Sequence, residues 1–271
     1  MTPRLPAEVG TARSWRPLGG GSICDAWVVE TDRGARVVVK RTPYDPTLEA
    51  DGLAALAAAG APVPGVLAVE PDPDRAGGVL VVEHVSGPPD WAGLGAALAE
   101  LHRSTSPDGR FGWHRDNLIG RLPQRNPWTT DWREFYAEHR LRPHLSAPAL
   151  DAGLRRRLLA ALEGPLYELL PARPPASLIH GDLWSGNIVD GRWLVDPAVC
   201  YADREHELAF TELFGGVPRA LLDAYTATWP LPDGWQRRRP ALQLYHLLVH
   251  VAHFGAGYNA PIADRLDALG W

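Results

Sequence analysis

The chain has 271 residues, and its content of 45% hydrophobic and 22% charged residues is that of a folded protein with one large domain or two lobes. Its 27 lysine and arginine residues against 32 aspartate and glutamate residues give a net charge of −5, which argues against nucleic acid as the main partner. The 2 cysteines exclude a disulfide framework and a cysteine-based zinc site. With no signal segment and no apolar run long enough to cross a membrane, we expect a soluble cytoplasmic protein.

The first 86 residues predict a small β-rich lobe with one helix. The segment 45–60 has leucines near helical spacing, and Asp45 or Thr47 is the expected N-terminal cap. Turn residues at 32–34 separate two of the predicted strands. The segments with strand composition are Trp27–Thr31, Arg36–Lys40, 61–70 and 77–87.

The remainder of the chain, residues 87–271, predicts a mainly helical lobe. Only the segment 171–198 interrupts the helical pattern, with strand and turn residues. We therefore predict an α+β fold in which a β-rich lobe is followed by a larger helical one. The segments with a helical apolar pattern are 91–105, 129–145, 149–170, 217–229 and 235–255.

The segment "GNIVDGRWLVDP" predicts a hairpin that could hold a metal ion. Asp190-Gly191 lies between two apolar runs and is typical of a two-residue turn, which places Asn187 opposite Leu194. Asp196 then lies on the same face of the hairpin as Asn187. Such diagonal positions are about 7–8 Å apart, so an amide oxygen and a carboxylate can share one cation. Hard oxygen ligands of this kind are what Mg²⁺ prefers.

Asp182 precedes Asn187 at the spacing D-x-x-x-x-N, which matches the catalytic loop of kinases. In that loop the aspartate accepts a hydroxyl proton and the asparagine holds magnesium. Gly181 would allow a tight backbone turn, and His180 would support the loop. The structural alternative is that Asp182 caps a turn and Asp196 ends a strand, but the set at this spacing favours the functional interpretation.

The β-rich lobe contains candidate nucleotide-binding residues in the order that a kinase requires. Gly20, Gly21 and Ser22 lie in a glycine-rich loop before a strand and could cover phosphates with backbone N–H groups, although such a loop is more often simply flexible. Lys40 ends the apolar strand "VVVK", as the phosphate-binding lysine of a kinase does, and a solvated strand end is its structural alternative.

Two further features complete the predicted nucleotide site. Glu49, on the helix after Lys40, is the expected partner of the lysine, with Asp51 as a rival on a different helix face. The segment "VVEHVSG" resembles a kinase hinge, in which the backbone of Glu83 and Val85 meets adenine. Together these features predict a bilobal protein-kinase-like fold.

The chain resembles the fructosamine kinase (ketosamine 3-kinase) family, which is related in fold to the aminoglycoside phosphotransferases. The resemblance runs from about Gly19 to Tyr258. The motif H-G-D-x-x-x-x-N is shared with aminoglycoside and choline kinases and is therefore only moderately specific for this family. The tryptophan within the motif and the "FGW…DN" block are more specific for it. The motifs that carry it are "LEADGLAAL", "FGWHRDNLIGRLPQRNPWTTDWREFYAEHRLRPHL", "LIHGDLWSGNI" and "VDPAVCYADREHELAFTELFGG".

The resemblance implies an ATP- and Mg²⁺-dependent kinase that phosphorylates the 3-hydroxyl of fructosamines or ribulosamines, after which the product releases its amine. It implies that Asp182 is the base and that Asn187 and Asp196 bind magnesium. Lys40 and Glu49 are then the ion pair over the ATP phosphates.

The resemblance also implies two residues that contact the acceptor. Trp184 is similar to a tryptophan that packs against the ketosamine sugar, and His250 to a histidine of the substrate pocket. A core histidine is the equal alternative for His250, whereas His246 and His253 are expected to be structural.

The chain departs from the family pattern at two positions. Ser22 stands where members often have a cysteine, with Cys24 two residues later, which puts redox control of this loop in doubt. Glu207 stands for an aspartate in "REHELA", at a position expected to support the catalytic loop.

Two other functions compete with the ketosamine kinase. An aminoglycoside or other small-molecule phosphotransferase would share the loop, but it usually lines its acceptor site with carboxylates. A nucleotide-binding protein without catalysis would not need the base together with both metal ligands. Fructosamine, ribulosamine and glycated protein side chains remain alternative substrates within the family.

Overall fold

The computed structural model describes residues 5–19, 24–73 and 77–271, so the predicted loop residues Gly20, Gly21 and Ser22 lie outside the described residues. In chain order the helices are α1 (Thr47–Ala58), α2 (Trp91–Arg103), α3 (Trp132–Tyr136), α4 (Ala152–Leu162), α5 (Pro165–Leu169), α6 (Arg204–Thr211), α7 (Arg219–Thr228), α8 (Trp235–Phe254) and α9 (Asn259–Leu269). The strands are β1 (Ala12–Pro17), β2 (Asp25–Thr31), β3 (Arg36–Thr42), β4 (Val66–Pro71), β5 (Gly78–Glu83), β6 (Asn117–Ile119), β7 (Leu122–Gln124), β8 (Ala176–Ile179), β9 (Ile188–Val189), β10 (Trp193–Leu194) and β11 (Cys200–Asp203).

The chain divides into two compact units. The first contains Met1–Asp90 and Ile188–Pro197, and the second contains Trp91–Asn187 and Ala198–Trp271. Within the described ranges, each helix is too short or too polar to cross a membrane.

The first unit is built on an antiparallel sheet with the strand order β1-β2-β3-β5-β4 among its described residues. β2 and β3 pair as predicted, with Val28 opposite Val38, because valine-rich runs favour the pleated backbone. Val29, Val39 and Val81 are fully buried in the core of this sheet. The sequence does not predict β1, because ARSWRP lacks the alternation of apolar and polar residues that is typical of a strand.

The hairpin of β9 and β10 corrects the predicted register. Asp190 and Gly191 have φ of 52° and 60°, and Arg192 N donates to Val189 O at 3.0 Å, so a β-turn is present at these two residues. Val189, however, pairs with Trp193 rather than with Arg192. Arg192 is therefore an extra residue, as in a β-bulge.

The shifted register removes the geometric argument for a shared metal site. Asn187 ends a 3₁₀ turn, Ser185–Asn187, instead of lying in the strand, and Asp196 has a φ of 57°. The prediction that the hairpin places these two residues on one face of a ladder is wrong. A one-residue slip reverses every side chain of a strand, so the diagonal argument fails with the register.

The second unit is mainly helical, with β8 paired to β11 and β6 paired to β7. The predicted helix over 129–145 is instead α3, a π-helical turn at Ala137–Leu141 and a 3₁₀ turn at Arg142–His144. The predicted helix over 149–170 is divided into α4 and α5 at Gly164, whose φ of −170° and ψ of −64° are not helical. α6 and α9 were not predicted.

Candidate active site

The loop after β8 is held in a tight turn against the segment before β11. Gly181 has a φ of 85°, and a Cβ at this position would lie 2.0 Å from the carbonyl oxygen of Ala198. Ala198 N donates to His180 O at 2.8 Å. Only glycine fits this close approach. The sequence expectation that Gly181 allows a tight turn therefore agrees with the structure.

Asp182 and Asn187 contact each other across this loop. The side-chain amide nitrogen of Asn187 donates to the backbone oxygen and to Oδ2 of Asp182, both at 2.9 Å. Asn187 N donates to Trp184 O at 3.0 Å, which closes the turn. Because the amide nitrogen is engaged, the Oδ1 atom is the part of Asn187 suited to bind a cation.

A buried carboxylate, Glu207 of α6, fixes the backbone that precedes Asp182. Its Oε1 accepts from His180 N at 3.0 Å, and its Oε2 accepts from Gly181 N at 2.6 Å. His102 Nε2 lies 2.9 Å from Oε1 and completes the contacts. The side chains of Glu207 and His102 are both fully buried. The extra methylene of glutamate is thus compatible with both backbone hydrogen bonds.

The pKa of Glu207 is lowered from its ordinary value. Burial alone would raise it, but the hydrogen bond and charge of His102 and the hydrogen bond from Gly181 N outweigh burial. The carboxylate form therefore supports the loop. The pair of Glu207 with His102 could not be predicted from the sequence, because the two residues are 105 positions apart.

His246 also contacts this loop, through Nε2 at 3.2 Å from Gly181 O. It is fully buried, and burial lowers its pKa. His253 contacts Ile119 O at 3.2 Å and has a structural contact of its own.

In the first unit, Lys40, within β3, is paired with two carboxylates. Its Nζ donates to Glu49 Oε1 at 2.5 Å and to Asp196 Oδ1. Burial would lower the pKa of Lys40, but the charges of Asp196 and Glu49 raise it above its ordinary value. The lysine is therefore a fixed cation, and Glu49 is its partner on α1.

Asp196 has the left-handed backbone noted above although it is not a glycine. Such a conformation costs about 1–3 kcal/mol and is commonest at functional sites. Oδ1 of Asp196 contacts Lys40, yet the side chain as a whole is still 52% exposed to solvent. A half-exposed carboxylate of this kind is a suitable ligand for a hard cation.

The predicted hinge, residues 81–87, begins within β5, whose last residue is Glu83. Glu83 N donates to Gly65 O at 2.9 Å, and Glu83 Oε2 accepts from Gly65 N at 3.0 Å. The N–H of Glu83 is therefore already engaged within the first unit. Val85 lies two residues past the end of the strand.

Trp184 and His250 both lie in the second unit. A Cβ on Gly186 would be 2.4 Å from the indole Cζ2 of Trp184, so the ring lies directly against this glycine. His250 Nδ1 is 2.7 Å from His246 O on α8. His250 is half-buried, rather than a core histidine.

The donor chemistry fits a magnesium ion held mainly by oxygen. Among the described residues, no three His, Cys, Asp or Glu side chains form a ready metal-binding cluster. The amide oxygen of Asn187, in the second unit, and the carboxylate of Asp196, in the first, are each hard oxygen ligands of the kind that Mg²⁺ takes beside nucleotide phosphates. This donor set does not suit zinc.

Comparison with known proteins identifies relatives over nearly the whole chain. The family model described as fructosamine kinase matches residues 5–269. The chain is 34% identical over 265 residues to a probable ketoamine kinase of Enterococcus faecium, covering 93% of each chain. It is 33% identical over 273 residues to the chloroplastic protein-ribulosamine 3-kinase of Oryza sativa subsp. indica, covering 92% of this chain and 77% of that one.

A solved structure from Thermobifida fusca, named as a fructosamine-3-kinase, has a TM-score of 0.86 and 34% identity to this chain. The match covers 97% of this chain and 95% of that one. The predicted α+β, protein-kinase-like fold is thereby confirmed.

Proposed function

The chain belongs to the fructosamine kinase family, and from this premise we propose that it transfers the γ-phosphoryl group of ATP to the 3-hydroxyl of a ketosamine. The 3-phosphate product would then lose its amine, so the reaction deglycates the amine. The observation that best supports this function is the contact of Asp182 with Asn187 in a loop whose backbone is fixed by Glu207.

In this mechanism Asp182 accepts the proton of the sugar 3-hydroxyl as that oxygen attacks phosphorus. The Asn187 amide holds the carboxylate through Oδ2, so the base is oriented before the substrate binds. Phosphoryl transfer needs little covalent help from the protein, and positioning together with charge stabilisation supplies most of the rate.

The nucleotide is proposed to bind the first unit. The cationic Lys40, oriented by Glu49, contacts the phosphates, and the backbone of Glu83 and Val85 contacts adenine. Since the N–H of Glu83 already bonds to Gly65, the carbonyl oxygen is the group it offers. Gly20, Gly21 and Ser22 cover the phosphates in this proposal.

We propose Mg²⁺ as the metal, with Asn187 Oδ1 and the Asp196 carboxylate as its protein ligands. When bound, Mg²⁺ neutralises charge on the phosphates during transfer. The acceptor sugar packs against Trp184, whose ring lies against Gly186.

The test is an ADP-release assay over ketosamines that differ in sugar and amine, with the free amine followed in parallel. Asp182→Asn keeps the shape of the side chain and removes the base, so kcat should fall by about 10²–10⁴-fold. Asp267→Asn is the matched control, because Asp267 is 68% exposed and pairs only with Arg157 among its described contacts. Unchanged turnover in Asp182→Asn would refute the mechanism, and turnover of aminoglycosides instead of ketosamines would refute the acceptor.

A further inference from the structure

A network of buried hydrogen bonds connects Glu207 with α7, and we call it the Tyr225 network. Arg204 Nη1 donates to Tyr225 Oη at 3.1 Å, and the same oxygen lies 2.9 Å from His102 Nδ1. The other ring nitrogen, His102 Nε2, lies 2.9 Å from Glu207 Oε1. Tyr225 and His102 are 0% exposed and Arg204 is 4% exposed, so their polar atoms depend on one another rather than on water.

Arg204 holds the Tyr225 hydroxyl from one side. Its Nη1 also donates to Trp229 O at 3.1 Å, and its Nη2 donates to Pro230 O at 2.6 Å. The guanidinium stacks 3.6 Å from the centroid of the Trp229 ring. Because two backbone acceptors and one ring fix the guanidinium, the hydroxyl meets a donor whose place is set by the segment after α7.

The helices that carry Tyr225 and His102 are in backbone contact. A Cβ on Gly95 of α2 would lie 2.1 Å from the carbonyl oxygen of Leu221, which is one helical turn before Tyr225 on α7. The rings of His102 and Tyr225 meet edge to face, with centroids 5.5 Å apart. A phenylalanine ring would fill the same space, so the hydroxyl contributes hydrogen bonds rather than packing.

Both nitrogens of the His102 ring are engaged, which fixes the orientation of the ring. Nδ1 meets the Tyr225 hydroxyl, and Nε2 meets Glu207 Oε1. The same Oε1 accepts from His180 N, and Oε2 accepts from Gly181 N. If the His102 ring turns away, Oε1 loses a donor and the carboxylate moves relative to the two N–H groups. The Tyr225 hydroxyl thus reaches the backbone of this loop through two side chains.

We propose that Tyr225 is a positioning residue for phosphoryl transfer, whose hydroxyl holds the His102 ring and, through it, the Glu207 carboxylate. This inference rests on the proposed function, since the transfer step is the one that depends on the position of Asp182. Tyr225 is fully buried, so it acts on the loop and not on the substrate. Loss of the hydroxyl therefore lowers kcat and has little effect on the KM for ATP.

Tyr225→Phe tests the hydroxyl because it keeps the ring. In ADP release with 1-butylamino-1-deoxyfructose, a simple fructosamine, kcat should fall about three- to tenfold. The KM for ATP should change less than about twofold. Amide hydrogen exchange, followed by NMR, gives a readout that needs no substrate. Exchange at His180 N and Gly181 N should speed up more than exchange at the other buried amides of the second unit.

Tyr136→Phe is the matched control, because Tyr136 is also fully buried and its hydroxyl donates to Ala241 O at 2.8 Å. It removes an equally buried hydroxyl that lies outside the Tyr225 network. It should lower the urea midpoint, as Tyr225→Phe does. It should leave kcat unchanged, and His180 N and Gly181 N should keep their exchange rates relative to other buried amides.

Combining Tyr225→Phe with Glu207→Gln tests whether the effect passes through the carboxylate. If it does, adding Tyr225→Phe to Glu207→Gln lowers kcat less than about twofold, because the group it acts through is already altered. The inference would be overturned by an unchanged kcat in Tyr225→Phe, by an equal loss in Tyr136→Phe, or by losses that multiply in full in the double variant. Equal acceleration of exchange at all buried amides of the second unit would also overturn it.

The exchange measurement separates this inference from the proposed function. If the native protein turns over no ketosamine, the kinase function is contradicted, whereas faster exchange centred on His180 N and Gly181 N in Tyr225→Phe still supports Tyr225 as the residue that positions this loop. If the native protein turns over ketosamines and Tyr225→Phe keeps the native kcat, the role of Tyr225 is contradicted and the kinase function is supported.

Discussion

Replacing Glu207 by glutamine is the sharpest test of how the loop before Asp182 is held. The carboxylate accepts from two backbone N–H groups, those of His180 and Gly181, through different oxygens. A glutamine amide has one oxygen, so in either orientation its NH₂ group faces one of these N–H groups. A backbone N–H can only donate, so one of the two loses its acceptor.

The expected cost follows from the loss of one buried acceptor. A buried donor left without a partner costs about 1–3 kcal/mol, so the free energy of unfolding should fall by that amount. Displacing the loop also misplaces Asp182, and a shift of about 1 Å costs on the order of 10²-fold in rate. We therefore expect kcat to fall about 10- to 100-fold, with little change in KM for ATP.

The pH dependence of stability provides a second measurement on the same variant. The pKa of Glu207 in the folded protein is lowered from its ordinary value of 4.5. Its charged form therefore contributes stability above that value, and the contribution is lost as the pH falls through the folded pKa. The stability difference between the native protein and Glu207→Gln should be largest at neutral pH and shrink in acid.

Urea unfolding and steady-state ADP release measure these two effects. Glu212→Gln is the matched control, since Glu212 directly follows α6. Glu212 forms a salt bridge with Arg239, and the two side chains are 32% and 38% exposed, respectively. That change should cost less than about 1 kcal/mol. If Glu207→Gln unfolds at the same urea concentration as the native protein and keeps its kcat, the carboxylate does not hold the loop.

Three further changes have distinct expected results. Lys40→Met should raise KM for ATP and lower kcat in the ADP-release assay, because it removes the cation between two carboxylates. Gly181→Ala should abolish activity and lower the melting temperature in calorimetry, since its Cβ would overlap Ala198 O. Arg238→Ala leaves the buried Glu205 unpaired and should cost about 3–5 kcal/mol in urea unfolding. Arg219→Ala is the control for this change: the Arg219 side chain is 88% exposed, so its removal should leave the urea midpoint nearly unchanged.

Local signals predict the lysine pair but not the register of the hairpin. Lys40 and Glu49 are nine positions apart, on adjacent elements, so strand and helix patterns were enough to pair them. The hairpin around Arg192 contacts a distant part of the chain. Arg192 Nε donates to Pro88 O at 3.1 Å, and Asp190 Oδ2 accepts from Gly87 N at 3.1 Å. No pattern within the hairpin contains that information.

Helix α6 was missed because it is buried on all sides. Each of its residues, REHELAFT, is buried, so the sequence has no polar face to alternate with an apolar one. Its charges are paired instead with other elements. Glu205 accepts from Arg238 at 2.6 and 2.7 Å, and Arg204 stacks 3.6 Å from the centroid of Trp229. A search for an amphipathic helix treats charged residues as solvent-exposed, so it does not recognise this buried helix.

The position of Asp182 thus depends on helices that carry none of the proposed ligand-binding oxygens. Glu207 of α6 and His246 of α8 together bond to three backbone groups of His180 and Gly181, and His102 of α2 bonds to Glu207. Each contact is buried, so a loss at one is not replaced by water. Substitutions that shift α2, α6 or α8 should therefore lower kcat more than they weaken nucleotide binding, because they move the base, whereas Lys40 and Glu49 belong to the first unit.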